Sequence, residues 1–559
     1  MLKTKIVSSL VKARLEDEID CFEQIKEISA LRGERLSLQL LCYYEFTNEK
    51  SYSEMSRNRT LAKISSSGEL SEYISVRSVE NVPVSRPTLA DSDGDDDYIS
   101  KKVGLFPDPL LPLHYDNTIC LSPTLLYSLW IEINIPKDFK AGLTNLSLTI
   151  DNGHESERAE VKIEVIGCTL PDDNIYFTQW FHCDSLANYY GVKVWSERHW
   201  EIIENFARVA AKNGINMLLT PVFTPPLDTA VGGERTTCQL VTVRKKNEEY
   251  CFDFSLLDRW CNMCIRTGIE YFEISHFFTQ WGAYHAPKIM ITEGEKERKL
   301  FGWETDASDE EYIKFLRAFI VALLSHMKAR GLDKNCFFHI SDEPGAAHIE
   351  SYKAAKASIA DLLDGYVIMD ALSNYDFWRM GIVDAPIPAS NHISPFIDGG
   401  VQNLWTYYCC GQTKRVSNRF ISMPSRRNRS IGFQLYKYDI VGFLHWGYNF
   451  YSNCNSVNSI NPFLQLDGDG WVPPGDAFSV YPAQNGEALE SLRIIVFHEA
   501  LQDIKAMKLA ERFVGKERIV NLIDEKIGEP VTFDVCAKSD SALLSLRAEI
   551  NKIIKENIM

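Results

Sequence analysis

Cys336-Phe-Phe-His-Ile-Ser-Asp-Glu-Pro344 is the stretch on which the reading of the fold turns. An apolar run suited to a buried strand ends in two adjacent carboxylates, Asp342 and Glu343, and a proline and a glycine then stop the strand. Two acids side by side against apolar walls repel each other, which raises the pKa of at least one and lets it donate a proton near neutrality. A plainer reading makes them a cap for the helix expected over 345–363. The flanking sequence decides between the two.

On both sides of this stretch, short apolar strands alternate with amphipathic helices, the mark of βα units and a parallel sheet. Upstream, strands are predicted over 175–181, 215–222 and 271–277, with helices over 197–212, 255–266 and 309–330. Downstream come strands over 366–370, 385–389, 404–410 and 442–450, a helix over 429–438 and a long helix over 488–513. With the opening stretch as the fourth strand, the pattern predicts a (β/α)₈ barrel of TIM type over 171–513. The active site of such a barrel lies at the carboxyl ends of its strands, where Asp342 and Glu343 fall. Long insertions occupy 224–253 and 278–309.

Residues 1–170 have another texture. Leu36–Phe46, Leu129–Ile135, Leu146–Ile150 and Ala159–Ile166 alternate apolar with polar positions, predicting half-buried antiparallel strands and an N-terminal β-sandwich domain. The acidic run Asp91–Asp97 lacks EF-hand spacing and flanking helices, so it reads as a solvated loop. Residues 514–559 read as a short α/β segment packed on the barrel, a strand or two followed by an amphipathic helix.

The 559-residue chain is long enough for several domains, and its net charge of -17 argues against a nucleic-acid partner. The first residues lack the apolar core and cleavage site of a secretory signal, so a cytoplasmic location is expected. The longest apolar run, Ala318–Leu324, is far short of the roughly 20 residues that span a bilayer. Fourteen scattered cysteines read as free thiols in a reducing compartment. Cys261 and Cys264 have no second pair at zinc-ribbon spacing, so no metal is expected there. The oligomeric state is not legible.

A carboxylic acid at a barrel strand end among aromatic residues suggests glycoside hydrolysis, because sugars stack on rings and the leaving oxygen needs a proton donor. Trp180, His276, Trp281, Trp378, Trp405, Tyr407, Tyr408, Trp446, Tyr448 and Tyr451 are the aromatic candidates at or near strand ends. An ordinary retaining enzyme needs a second carboxylate from a distant strand end, yet L-W-T-Y-Y-C-C (404–410) and G-F-L-H-W-G-Y-N-F (442–450) carry none. Two routes stay open. An inverting enzyme could draw its base from Asp467 or Asp469. In the other route the substrate's own 2-acetamido carbonyl attacks the anomeric carbon while one acid orients the amide and its neighbour protonates the leaving oxygen. Neither route calls for a metal or organic cofactor.

H-I-S-D-E-P, L-W-T-Y-Y-C-C-G-Q, G-F-L-H-W-G-Y-N-F-Y and the downstream D-G-D-G together resemble glycoside hydrolase family 123, over roughly 171–513. The resemblance implies a retaining exo-glycosidase that releases terminal β-linked N-acetylgalactosamine from a glycan or glycolipid head group. It implies that Asp342 polarises the acetamido group and that Glu343 is the general acid/base. It further suggests Tyr407 or Tyr408 as a hydrogen-bond partner of the acetamide, Trp446 as the floor of the sugar site, and Asn449 and Asp469 as readers of sugar hydroxyls. A β-N-acetylglucosaminidase, an inverting glycosidase using Asp469 and a non-catalytic carbohydrate-binding protein are the alternatives.

Overall fold

The computed structural model describes residues 1–45, 59–88, 95–113, 115–294 and 296–558. These divide into two compact units. One comprises 1–174, 413–437 and 489–559; the other comprises 175–412 and 438–488.

In the first unit, two five-stranded sheets are formed by the N-terminal residues. One is antiparallel throughout and centres on Arg35–Tyr44 beside Leu126–Asn134. The other is antiparallel except where Ser156–Thr169 runs parallel to Glu27–Arg32. The alternation in the sequence is the cause of the layering. Leu36, Leu38 and Leu40 share one core with Ile131 and Ile133 of the first sheet and with Leu146, Leu148, Val161 and Ile163 of the second. Phe46 and Asp91–Gly94 lie outside the described residues. Of the acidic run that follows, Asp95 accepts from Arg427 at 2.8 Å and Asp97 pairs with Arg426, so these carboxylates are held by arginines.

Two helices expected on the barrel, observed as Ser425–Lys437 and Leu492–Val514, group with this first unit. The reason is a set of ion pairs buried within it: Arg493 with Asp108, Arg429 with Glu499 and Asp503, and Arg547 with Asp503 and Glu34. The C-terminal segment likewise belongs to the first unit, not to the barrel. It holds two helices, Lys516–Ile527 and Asp540–Asn557, and no strand among its described residues. The strand or two expected in this segment do not form among its described residues; around Val531–Val535 the chain turns, and Gln434 Nε2 donates to the carbonyls of Thr532 and Val535 at 3.0 Å each. A neighbouring strand is not needed to satisfy them.

The second unit is a nearly closed parallel barrel of eight strands. In chain order they are Tyr176–Gln179, Met217–Thr220, Tyr271–Ile274, Cys336–Phe338, Val367–Ala371, Ala385–Ile387, Trp405–Tyr407 and Gly442–His445. Neighbours pair in parallel from the first strand to the sixth, the seventh pairs with the eighth, and the eighth pairs with the first. The sixth and seventh approach through a single parallel bridge, Ala389 with Tyr407. Of the helices Glu197–Lys212, Ser255–Thr267 and Glu310–Ala329, the first and third start at side-chain caps: Ser196 and Asp309 each accept a backbone N–H of the first turn. Both long insertions carry strands among their described residues. Hairpins Thr242–Lys246/Glu249–Asp253 and Ile289–Glu293/Lys296–Phe301 join in one four-stranded sheet.

Candidate active site

The barrel interior is built in layers. Its lowest layer is aromatic: Tyr176 stacks on Trp405 with centroids 5.4 Å apart and meets Tyr271 and Phe337 edge-on. A Cβ on Gly442 would fall 2.1 Å from the Trp405 ring, so only glycine fits opposite it. Trp405 is therefore floor packing and not a sugar platform, which corrects the expectation for that residue.

Above this floor lies a buried ionic layer. Glu273 accepts from Thr178 Oγ1 at 2.6 Å, from Trp180 Nε1 at 2.7 Å and from His339 Nε2 at 2.8 Å. The other ring nitrogen of His339 donates to Asp370 at 3.1 Å, and Asp370 also accepts from the Tyr352 hydroxyl. With a carboxylate on each nitrogen, His339 is an imidazolium. Burial alone would depress its pKa, but the bonds to Asp370 and Glu273 outweigh that and raise it to about 10. His276 stacks on His339 at 4.3 Å and stands edge-on to Trp180. Burial and the neighbouring imidazolium push its pKa well below the usual value, so it is neutral. Both of its nitrogens are buried without a hydrogen-bond partner. Donor atoms of His276, His339 and Asp370 lie within 4.8 Å of one another. A metal there would have to displace the protons that bind His339 to its two acids, so this donor set does not fit one.

Asp342 and Glu343 sit on top of this layer, where the fourth strand has ended. Their environments differ. Asp342 is buried, and its Oδ1 has no hydrogen-bond partner, while Oδ2 receives a long bond from Gln280 at 3.4 Å. Burial first, then the charges of Glu343 and Asp228, raise its pKa well above the ordinary carboxylate value. Glu343 is exposed and accepts from the Tyr407 hydroxyl at 2.8 Å. Its backbone has φ +45, a conformation that L residues seldom adopt, and its N–H donates to Ala371 O at 2.9 Å. The chain turns sharply there, which puts neighbouring side chains in different surroundings.

Trp281 is attached to the same place, its N–H donating to Asp342 O at 2.8 Å. Trp446 is half-buried at the end of the eighth strand. Its indole N–H donates to Asp476 at 2.9 Å, and its ring meets Phe450 and Trp471 edge-on at 5.2 and 5.5 Å. Two further expectations are corrected, those for Tyr408 and Asn449. Tyr408 points to the other side of its strand from Tyr407, packing on Phe443 and His445. Asn449 is fully buried and brackets His182, accepting from its N–H at 2.9 Å and donating to its carbonyl at 3.1 Å. Asp469 is exposed in a turn beside Gln465.

Asp228, in the first insertion, was not singled out from sequence. Its N–H bonds to the same Gln280 side chain that reaches Asp342, and its carbonyl accepts from Ser456. Burial raises its pKa to about 6 against the pull of Arg235, with Glu343 and Asp476 adding to the rise. Arg235 is itself buried, bidentate to Asp184 at 2.8 and 2.7 Å, and within 2.9 Å of His182 Nδ1. His182 is depressed to about 3 by burial and then by Arg235, so it stays neutral. No sequence periodicity marks Asp228 or Arg235; only the fold of the insertion brings them to the barrel mouth.

The catalytic-domain model of glycoside hydrolase family 123 matches residues 180–510. The chain belongs to glycoside hydrolase family 123. None of the curated proteins matches it. Among solved structures, the family 123 enzyme from Clostridium perfringens, described in a study of glycolipid glycan hydrolysis, superposes with TM-score 0.74 at 18% identity. That alignment covers 100% of this chain and 98% of the other. A β-glucuronidase of Parabacteroides merdae aligns over 90% of this chain and 51% of its own at 12% identity, with TM-score 0.31. The family 123 match spans Glu273, His276, His339 and Asp370 of the ionic layer, both acids and Trp446. The chain is a glycoside hydrolase. Among its described residues no helix is long and apolar enough to cross a membrane.

Proposed function

We propose that this family 123 hydrolase is a retaining exo-glycosidase on a (β/α)₈ barrel, releasing terminal β-linked N-acetylgalactosamine by substrate-assisted catalysis. The observation that carries the reading is the asymmetry of the pair: Asp342 buried with an unpartnered oxygen, Glu343 exposed and steadied by Tyr407. An acetamido N–H is a donor of the kind Asp342 Oδ1 lacks. In the free site burial favours the proton on Asp342. A bound amide donor, and the positive charge that grows on the amide as it attacks, favour the ionised form. The proton is then available at Glu343.

The steps balance as follows. The acetamide carbonyl oxygen forms a bond to the anomeric carbon as the bond to the leaving oxygen breaks, and Glu343 gives its proton to that oxygen. Asp342, now ionised, faces the oxazolinium. Water then attacks the anomeric carbon and loses its proton to Glu343 as the bond from that carbon to the acetamide oxygen breaks, which restores the neutral acetamide with net retention. Tyr407 acts on Glu343 rather than on the acetamide. Trp446 offers the apolar floor, and Asp228 takes the hydroxyl-reading role expected of Asp469.

The Clostridium perfringens enzyme's link to glycolipid glycans supports a glycan or glycolipid head group as substrate. A second reading, an inverting glycosidase with Asp228 as base, is favoured by that residue's raised pKa beside the pair. Hydrolysis of a β-N-acetylgalactosaminyl disaccharide by wild type, Asp342→Asn, Asp228→Asn and Glu343→Gln tests both. Near-normal turnover by Glu343→Gln would remove the acid assignment. Inversion of the released sugar, with loss of turnover confined to Asp228→Asn and Glu343→Gln, would establish the second reading. A gluco epimer turned over as fast as the galacto one would overturn the sugar assignment.

A further inference from the structure

We infer that the turn from Trp281 to Tyr284 is the platform for the sugar on the leaving-group side of the scissile bond. The inference rests on the glycosidase reading of Asp342 and Glu343 and extends it beyond the sugar that is released.

Trp281, Gly282 and Ala283 have φ of +57, +130 and +56, three successive residues in a region that only glycine occupies freely. A Cβ on Gly282 would sit 2.5 Å from the Tyr284 ring and 3.2 Å from that of His348. The turn is tightly anchored: Ala283 is buried and donates to Thr279 O at 3.2 Å, Thr279 donates to His285 O at 3.0 Å, and Ala307 donates to Tyr284 O at 2.8 Å. What this strained and fixed backbone achieves is to hold two rings in solvent. Trp281 is 44% exposed and Tyr284 47%, and they are the exposed large aromatic side chains among the described residues of the barrel unit. Rings left about half in solvent on a rigid turn gain little for folding, so their gain lies in what they bind.

The position of the turn identifies the ligand. Trp281 N–H is bonded to the carbonyl of Asp342, immediately before Glu343. Tyr284 stands edge-on to His348 at 5.8 Å, and His348 Nδ1 accepts from Gly345 N–H at 3.0 Å, two residues after Glu343. The platform is thus fastened on both sides of the residue that protonates the leaving oxygen. A sugar attached through that oxygen lies next to Glu343, where its apolar C–H face can cover an indole or phenol ring. A hexopyranose as leaving group is therefore favoured over a small alcohol.

The test uses the full chain with the disaccharide β-N-acetylgalactosaminyl-(1→3)-galactose, and free N-acetylgalactosamine as an inhibitor that fills only the first site. Trp281→Ala and Tyr284→Ala are expected to lower kcat/KM for the disaccharide roughly tenfold each. Inhibition by N-acetylgalactosamine should stay within about twofold of wild type, and Trp281→Phe, which keeps a ring, should recover most of the loss. Unchanged kcat/KM in both alanine variants, or equal weakening of the monosaccharide, would overturn the platform. Binding of the disaccharide to Glu343→Gln with and without Trp281→Ala, followed by indole fluorescence, separates the two ideas. A wild-type chain that binds the disaccharide through Trp281 without cleaving it keeps the platform and overturns the glycosidase assignment.

Discussion

The floor and the mouth of the barrel are built from the same strands and differ in almost every physical respect. At the floor, Tyr176, Tyr271, Phe337 and Trp405 fill the interior with interlocked rings, and Gly442 makes room for the largest of them. Two residues further along the same strands stand Thr178, Glu273 and His339, an ionic layer with no exposed surface on the histidine or its acids. The period of two keeps each strand's inward positions in register, so the change from rings to charges happens in one step. The floor closes the barrel by packing. The mouth stores charge beneath Asp342 and Glu343, which costs stability in the free protein and sets the field in which the pair works.

That contrast can be broken from either side. The largest effect expected is at the mouth: Glu343→Gln should cut kcat/KM for an unactivated disaccharide by about 10² to 10⁴, with little change in melting temperature because the side chain is exposed. His339→Ala should lose both activity and fold stability. It leaves Glu273 and Asp370 buried without their cation, at a cost of about 3–5 kcal/mol in chemical denaturation. Trp405→Ala should destabilise by a comparable 3–5 kcal/mol, but the folded fraction, normalised by active-site titration, should keep its kcat/KM. Equal losses of specific activity in the two variants would erase the distinction between floor and mouth.

A smaller effect concerns pH. The carboxyl of Asp342 ionises in the folded chain well above its ordinary 3.8, so the native state keeps a proton after the unfolded state has released it. Stability contributed by this group is therefore present at low pH and declines as pH rises above the ordinary carboxylate range. Melting temperature measured against pH should fall less steeply in Asp342→Asn than in wild type; parallel curves would contradict the buried placement. The smallest effect is expected at Asp469→Asn, whose exposed position predicts a stability change within about 0.5 kcal/mol and unaltered turnover.

Much of the barrel was legible because its strands are short apolar runs and the first three are followed by long helices with a face of their own. The acid pair was legible for the same reason, since it closes one of those runs. The aromatic candidates separated only in three dimensions. Trp405 and Tyr407 share an inward face in W-T-Y, yet one lies at the floor and the other reaches Glu343; depth along a strand is not written in its period. Asn449 has the composition of a sugar ligand but its amide is spent on the His182 backbone. Asp228 depends on the long-range folding of an insertion, which local pattern does not encode. The stretch around Val531–Val535 alternates like a strand, and a single side chain, Gln434, satisfies its carbonyls instead.

The central claim is that the substrate's amide, aimed by Asp342, is the nucleophile. It is tested most directly by kcat/KM for β-galactosaminides whose 2-acetamido group carries zero, one, two or three fluorines. Fluorine withdraws electrons from the carbonyl oxygen without removing the amide N–H, so the rate should fall with every fluorine added. A rate that is independent of fluorination would contradict the account and move the attack to a group of the enzyme or to water.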